Sequence, residues 1–180
     1  MKDLMIDLET LGTNSDAPII SIGACFFDIN SGEIGEKFDI DIEWSSAMAF
    51  GTPSAQTIQW WMQQETEARL KAISGKIDLP SAIEYFTKFF EENGDKNTIV
   101  WGNGSTFDIV ILENAYRAVG YEPPWKFWNV NDVRTIRRFS HIDMKKKSFP
   151  GIEHVALHDA IHQAEYVAYA LQQGLKVQPE

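Results

Sequence analysis

The chain has 180 residues, of which 44% are hydrophobic and 12% aromatic; this is enough apolar surface for one core but short for two, so we expect a single domain over residues 1–180. The net charge of −10 argues against a protein that binds nucleic acid through phosphate contacts alone, because such proteins are usually basic. The single cysteine excludes an internal disulfide, and no stretch has the ~20 apolar residues of a membrane span, so the sequence predicts a soluble cytoplasmic protein.

The first quarter of the chain predicts three strands. An apolar run over residues 4–6 ends in two carboxylates and is typical of a buried strand. Residues 19–29 form a second apolar run, residues 30–32 supply a turn, and apolar residues over 34–42 recur mostly at every second position. We therefore expect an antiparallel meander of three strands.

Helices are predicted for the middle of the chain. Residues 44–75 place a few large apolar side chains in a polar context, which favours short helices over strands. Pro80 at a first helical position and the closing pair Asn93-Gly94 predict a helix over residues 80–92.

A strand followed by a helix is predicted next, because the apolar residues 98–101 lead through a glycine-rich turn into a helical pattern over about 106–119. Such an element is typical of a parallel sheet. Further along, we interpret residues 127–130 as one more strand. Asn131 or Asp132 is the expected cap of a short helix that ends at Phe139.

A last helix is predicted over about residues 153–173. The order of elements predicts an α/β fold with a mixed sheet, in which three antiparallel strands join parallel ones and helices flank both faces.

The first candidate site residues are Asp7 and Glu9, which are separated by one residue and so point to the same side of the predicted strand. Buried carboxylates without partners are costly and usually pair, neutralise or bind metal. Hard cations such as Mg²⁺ and Mn²⁺ prefer such oxygen ligands. Taken alone, the pair is better explained by a strand end that reaches solvent.

Two later segments add acidic residues. Asp108 enters the first turn of a predicted helix directly after a strand, where it could also serve only to stabilise the helix dipole. His154 precedes Asp159 by five positions at the start of the last helix. Pro150-Gly151 leaves His154 on the loop that enters this helix, while Asp159 is expected to look inward from its second turn.

These three segments, in this order, resemble the DEDDh exonucleases, a group with an RNase H-like fold that contains polymerase proofreading subunits, oligoribonuclease and RNase T. In that family the first motif supplies an Asp and a Glu, the second is Asn-x-x-x-Phe-Asp and the third is His-x4-Asp. The resemblance spans nearly the whole chain. It implies that the metal ligands are Asp7, Glu9, Asp108 and Asp159, and that His154 is the general base.

The resemblance implies a two-metal-ion 3′-to-5′ exonuclease that hydrolyses single-stranded or 3′-overhang RNA or DNA to nucleoside 5′-monophosphates. Two divalent cations, Mg²⁺ or Mn²⁺, would clamp the terminal phosphodiester while His154 accepts a proton from the attacking water. Their positive charge would also offset the acidity of the chain at the site. The expected substrate-binding residues are Thr10, Leu11, Gly12, Asn103 and Phe107.

The chain departs from proofreading-type relatives between Asp132 and His154, where a short Lys-rich segment stands in place of a further helix. In this it resembles small stand-alone bacterial and phage members, and its substrate preference stays open. The basic residues over 134–147 could guide a phosphate backbone or form a solvated surface. Relatives of this size are often homodimers, an assembly that exposed tryptophans would suit.

Other interpretations compete for the same residues. His154, His158 and His162 are spaced by four and could form a zinc stripe, but the His-Glu-x-x-His pattern is absent, which favours surface or outer roles for the last two. A later helix start would make His158 the base. A catalytically silent binding module with the same fold is the alternative function. The tryptophans that could stack on bases, although core packing is favoured, are Trp60, Trp61 and Trp128.

Overall fold

The structure is a computed structural model that describes residues 1–140, 142 and 151–174. Its strands are β1 (Asp3–Thr10), β2 (Ile19–Phe27), β3 (Ile34–Asp41), β4 (Ile99–Gly102) and β5 (Val130–Asp132). They form one five-stranded sheet in the order β3-β2-β1-β4-β5. The first three strands pair antiparallel, whereas β4 is parallel to β1 and β5 is parallel to β4. The predicted mixed sheet is therefore confirmed.

Helices flank this sheet, as the sequence predicted. They are α1 (Trp44–Ala49), α2 (Ala55–Trp61), α3 (Thr66–Ala72), α4 (Leu79–Asn93), α5 (Asp108–Ala118), α6 (Val133–Phe139) and α7 (Ala156–Gln172). The short helices predicted over residues 44–75 and the helix predicted over 80–92 are confirmed. None of the helices in the described ranges combines the length and the apolar character that crossing a membrane requires.

The strand predicted over residues 127–130 is wrong, because β5 begins only at Val130. The preceding residues form a turn in which the amide of Asn129 donates to the carbonyl of Lys126. Phe127 and Trp128 are 80% and 64% exposed on this turn, so their apolar character does not reflect a buried strand.

The starts of two helices, α5 and α7, differ in detail from the sequence prediction. α5 begins at Asp108 and not at about residue 106, and α7 begins at Ala156 and not at about residue 153. His154 has a φ of 64°, a left-handed conformation that a right-handed helix cannot include, so the helix starts after it. Of the two caps predicted for α6, Asp132 is confirmed, because its carboxylate accepts from two backbone amides.

The two faces of β1 serve different purposes. Leu4, Ile6 and Leu8 belong to the apolar cluster that includes residues of α4 and α5, whereas Met5 belongs to the cluster formed with α7. Because side chains alternate along a strand, Asp7 and Glu9 follow Met5 on the face that α7 covers. Full burial of such apolar side chains typically stabilises a fold by about 1.5–3 kcal/mol each.

Helix α7 approaches the sheet very closely at its first turn. Its small residues Ala156, Ala160 and Ala164 are fully buried, and their size lets the helix lie close to the strands. A Cβ atom built on Gly23 of β2 would lie 2.1 Å from the backbone carbon of Ala156, so only glycine allows this contact. Gly23 pairs with Asp7 across the sheet, and the close contact therefore brings the start of α7 beside the acidic end of β1.

The single cysteine is part of the core. Cys25 lies on β2, has no exposed surface and packs in the cluster between the sheet and α7. Burial raises the pKa of its thiol to about 12, so the thiolate is disfavoured.

Candidate active site

A cleft of about 580 Å³ opens where β1 ends and α7 begins. β1 contributes Asp7 and Glu9 to its lining, the first turn of α7 contributes Asp159, and the loop before α7 contributes His154. Ligand atoms of Glu9, His154 and Asp159 all lie within 4.8 Å of one another. Residues from opposite ends of the chain thus meet in one site, although Asp159 lies in the first turn and not, as predicted, in the second.

Asp108 forms the floor beneath this cleft. The side chain is 1% exposed, and it does not contribute to the lining. One carboxylate oxygen accepts from the backbone amide of Leu8 at 3.1 Å, and the other accepts from the amide of Asn103 at 2.6 Å. These bonds join the first residue of α5 to the end of β1 and to the turn after β4, which fixes the carboxylate beside Asp7.

The pKa values show how strongly the acids are crowded. Burial raises the pKa of Asp7 well above its ordinary value, and the charges of Asp108, Glu9 and Asp159 raise it further. Burial raises the pKa of Glu9 in the same way, with Asp159 as the largest charge contribution. Burial raises the pKa of Asp108 to about 6. Four carboxylates that destabilise one another when ionised form a donor set suited to hard divalent cations.

His154 stands at the rim of the cleft in a fixed position. Its backbone amide donates to Oδ2 of Asp159 at 2.8 Å, which ties the left-handed residue to the first turn of α7. Its ring packs edge-on against Trp60, with 4.8 Å between the ring centroids. The imidazole therefore lines the same cleft as the carboxylates of Glu9 and Asp159.

The zinc interpretation fails on backbone geometry. His154 precedes α7 with a left-handed φ, so it does not share a helical stripe with His158 and His162. Among the described residues, the group close enough to share a metal ion contains His154 but neither of the others. His158 instead accepts from the backbone amide of Ile152 through Nδ1 at 3.2 Å.

The predicted substrate-binding residues divide between the cleft and the core. Four of them line the cleft, namely Thr10, Gly12, Asn103 and Phe107. Leu11 has no exposed surface and packs in the core below the turn. Two hydrogen bonds hold the turn over residues 10–12 against α2. Nε1 of Trp61 donates to the carbonyl of Thr10 at 2.9 Å, and the amide of Ser54 donates to the carbonyl of Leu11 at 2.7 Å.

The tryptophans divide between core and surface. Core packing is confirmed for Trp61, which is almost fully buried, although it borders the cleft. That interpretation is wrong for Trp60, which is 41% exposed in the cleft, and for Trp128, which is exposed on the turn before β5. Of the basic segment, Arg134 lines the cleft, whereas His141 and Lys145 to Lys147 lie outside the described residues.

Gln163 is a cleft residue that the sequence interpretation missed. Its Nε2 atom donates to Oδ1 of Asp7 at 2.7 Å, and its side chain lines the cleft. Helical spacing could have found it, because Gln163 follows Asp159 by four residues and so lies on the same face of α7.

Burial of Asp108 predicts an unusual pH dependence for the metal-free chain. The folded-state pKa of Asp108 is raised from 3.8 to about 6, so the folded chain binds more protons than the unfolded chain between these values. The free energy of unfolding therefore increases as the pH falls through this window, by on the order of 1–3 kcal/mol. With a chelator present, we expect the melting temperature to be higher at about pH 5.5 than at about pH 8.

Saturating Mg²⁺ or Mn²⁺ at the higher pH should raise the melting temperature instead, because the cations would bind the ionised carboxylates of the folded chain. Differential scanning calorimetry with and without the cations measures both effects. A metal-free melting temperature that decreases as the pH falls through the window would contradict the raised pKa of Asp108.

Comparison with known proteins identifies the family of the chain. Residues 2–171 match the family described as 3′-5′ exoribonuclease Rv2179c-like domain. The chain is similar to an exodeoxyribonuclease of Enterobacteria phage T4, with 28% identity over 209 residues that cover 97% of this chain and 91% of the relative.

Solved structures share the fold. The nuclease domain of 3′hExo, a DEDDh family member bound to rAMP, has a TM-score of 0.64 and 15% identity over 98% of this chain and 94% of that chain. E. coli Exonuclease I in complex with a dA16 oligonucleotide has a TM-score of 0.68 and 15% identity over 95% of this chain, which spans 40% of that larger protein. The match over residues 2–171 shows that the chain belongs to the 3′-5′ exoribonuclease Rv2179c-like family, whose fold is that of the DEDDh exonucleases.

Proposed function

We propose that residues 1–180 form a single exonuclease domain that removes nucleotides from the 3′ end of single-stranded or 3′-overhang RNA or DNA. Each step would hydrolyse the terminal phosphodiester and release a nucleoside 5′-monophosphate. The observation that carries the proposal is the convergence of Asp7, Glu9, Asp108 and Asp159 at one cleft, with His154 at its rim.

The four carboxylates would hold two divalent cations, Mg²⁺ or Mn²⁺. The fit rests on the chemistry of the donors, since the charges of the other three acids raise the pKa of Asp7, and bound cations would relieve that repulsion. When bound, such cations favour ionisation of a water nucleophile and stabilise negative charge on the leaving oxygen. Each oxygen of Asp108 accepts from one backbone amide and keeps a further lone pair with which it could ligate a cation.

His154 would accept the proton of the attacking water. A general base must sit within hydrogen-bond reach of the water it activates and must hold its orientation. The hydrogen bond from the backbone amide of His154 to Asp159 and the edge contact of its ring with Trp60 give His154 that fixed position. An imidazole can take up and release a proton near neutral pH, as repeated turnover requires.

The part of the cleft lined by the turn over residues 10–12, by α2 and by Phe107 would receive the terminal nucleotide. Thr10 and Gly12 offer a turn that α2 holds in place, and Phe107 and Trp60 offer aromatic faces. Stacking of a base on such a ring contributes about 1–3 kcal/mol in proteins that bind single strands.

Arg134 is expected to bind the nucleic-acid strand. Among the described residues of this acidic chain, no other lysine or arginine lines the cleft. Arg134→Ala should raise KM for a single-stranded oligonucleotide by about 10- to 100-fold, the effect of one charge-assisted hydrogen bond. It should also reduce the slope of log KM against log salt by about one.

Arg138→Ala is the matched control for this prediction, because Arg138 lies exposed on the same helix, outside the cleft, and carries the same charge. Steady-state kinetics at several salt concentrations measures both variants. Equal changes in the two variants would contradict a specific strand contact by Arg134.

Digestion of oligonucleotides tests the proposed function. RNA and DNA oligonucleotides with a 5′ label, single-stranded or with 3′ overhangs, are incubated with the protein and Mg²⁺ or Mn²⁺. We expect a ladder of labelled products that shorten progressively, and no products in the presence of a chelator. Immediate release of a labelled mononucleotide would contradict the 3′-to-5′ polarity, and restoration of activity by Zn²⁺ alone would contradict the proposed cations.

A further inference from the structure

Gln163 contacts a proposed metal ligand from a buried position. It lies on α7 one turn after Asp159, and its side chain is 7% exposed. Its Nε2 atom donates to Oδ1 of Asp7 at 2.7 Å, which links two residues 156 positions apart in the chain. The contact fixes how far Asp7 can rotate on β1.

The amide of Gln163 directs a hydrogen-bond donor at Asp7 within the acidic cluster. Glu9 and Asp159 line the same cleft, and the N–H group of Gln163 presents a positive partial charge to Oδ1 of Asp7. In the described part of the chain, no lysine or arginine side chain donates a hydrogen bond to Asp7. A neutral amide therefore stabilises the ionised carboxylate without competing with a cation for the site.

The side-chain amide of Gln163 makes its hydrogen bond to Asp7. Its Oε1 atom is buried and has no hydrogen-bond partner among the described residues, and the same holds for the hydroxyl of Tyr166. Both side chains border a second cavity of about 140 Å³ behind the cleft. The reverse orientation of the amide would place Oε1 against Oδ1 of Asp7, two acceptors in contact, so the carboxylate sets the direction of the amide.

We propose that Gln163 is a positioning residue that holds Asp7 in the conformation that ligates a divalent cation. The inference rests on the proposed function, since it assigns Asp7 to a metal site. The amide holds the carboxylate of Asp7 through Oδ1, which limits its rotation at the cleft. Hydrogen-bond partners of metal-ligating carboxylates typically change metal affinity by about 10- to 100-fold.

Gln163→Met tests this proposal, because methionine has a similar length and volume but no hydrogen-bond donor. Calorimetric titration of the protein with Mn²⁺, without substrate, measures the dissociation constant directly. We expect it to increase by about 10- to 100-fold relative to the unsubstituted chain. At saturating Mn²⁺ the variant should recover kcat, with KM for the oligonucleotide unchanged, which a purely structural role of Gln163 would not produce.

Tyr166→Phe is the matched control. Tyr166 lies on the same helix, borders the same small cavity and loses a hydroxyl that has no partner among the described residues. It does not hydrogen-bond to Asp7, so its Mn²⁺ dissociation constant should stay within about twofold of the original. Should Gln163→Met fail to fold, Gln163→Asn shortens the side chain, withdraws the donor and answers the same question.

An Mn²⁺ dissociation constant that is unchanged in the Gln163 variants, or one that Tyr166→Phe weakens equally, would overturn the proposal. This result is distinguishable from failure of the proposed function. If the unsubstituted chain digests oligonucleotides while Gln163→Met binds Mn²⁺ normally, only the role of Gln163 is lost. If the unsubstituted chain binds Mn²⁺ but digests nothing, the function is lost and the binding comparison still decides the role of Gln163.

Discussion

Asp7→Asn is expected to lower the exonuclease activity by about 10³-fold or more at saturating Mg²⁺ or Mn²⁺. Asp7 lies at the centre of the acidic cluster, where the charges of the other three acids all act on it. Asparagine keeps the shape of the side chain but removes the charge that a cation needs. Single-turnover digestion of a labelled oligonucleotide measures the loss without a contribution from product release.

The same substitution should stabilise the metal-free chain. Removal of one charge from the cluster relieves the repulsion among the remaining carboxylates, and the asparagine oxygen can still accept from Gln163. We therefore expect a metal-free melting temperature at least as high as that of the original chain at about pH 8. Loss of activity combined with higher stability would exclude unfolding as the cause.

Asp3→Asn is the matched control for Asp7→Asn. Asp3 is also buried on β1, has a pKa raised by burial and accepts from Nε1 of Trp101 at 2.9 Å. It lies at the opposite end of the strand, about 13 Å away at the usual rise per residue. Its activity should stay within about twofold of the original. Comparable losses in both variants would contradict a specific role for Asp7.

His154→Asn is expected to lower kcat by about 10²- to 10⁴-fold, the usual contribution of a general base. Asparagine is suited to this position because it tolerates the left-handed backbone that His154 adopts. The variant should still bind Mn²⁺, since the four carboxylates are unchanged. Steady-state kinetics, together with calorimetric titration of Mn²⁺, separates loss of the base from loss of the cations.

His158→Asn is the control that decides between the two candidate bases. His158 lies on α7, accepts from the backbone of Ile152 and does not line the cleft. We expect it to retain most of the activity. If His158→Asn abolished hydrolysis while His154→Asn did not, the assignment of the base would be wrong.

The acidic end of β1 could be predicted because it follows from local rules. Alternation along a strand places Asp7 and Glu9 on one side, and the apolar run before them marks the strand as buried. The segments containing Asp108 and Asp159 could be identified by motif, since each follows a turn at a helix start. What joined these separate segments into one predicted site was the resemblance to a family, not the periodicity of the sequence.

Other features depend on contacts that no local pattern reports. Leu11 follows the first motif and was expected at the substrate, but the turn directs it into the core, because its backbone is bonded to Pro18 and Ser54. Phe127 and Trp128 have the composition of a strand but lie on an exposed turn. The contact of Gln163 with Asp7 arises from tertiary packing of α7 on the sheet.

The cellular location of a protein and its assembly into oligomers depend on its interactions with other molecules. The cytoplasmic location and the homodimer therefore stay predictions. So does the choice between RNA and DNA, which would depend on contacts to a 2′-hydroxyl.

The burial of Cys25 has a practical consequence for studying this enzyme. Because the only thiol of the chain is enclosed in the core, reagents such as maleimides would find no accessible target on the folded molecule. A fluorophore coupled through Gln56→Cys, at the exposed rim of the cleft, would then label one defined position without removal of the native cysteine. Changes in its emission would report the arrival of a strand in real time, independently of any bond cleavage.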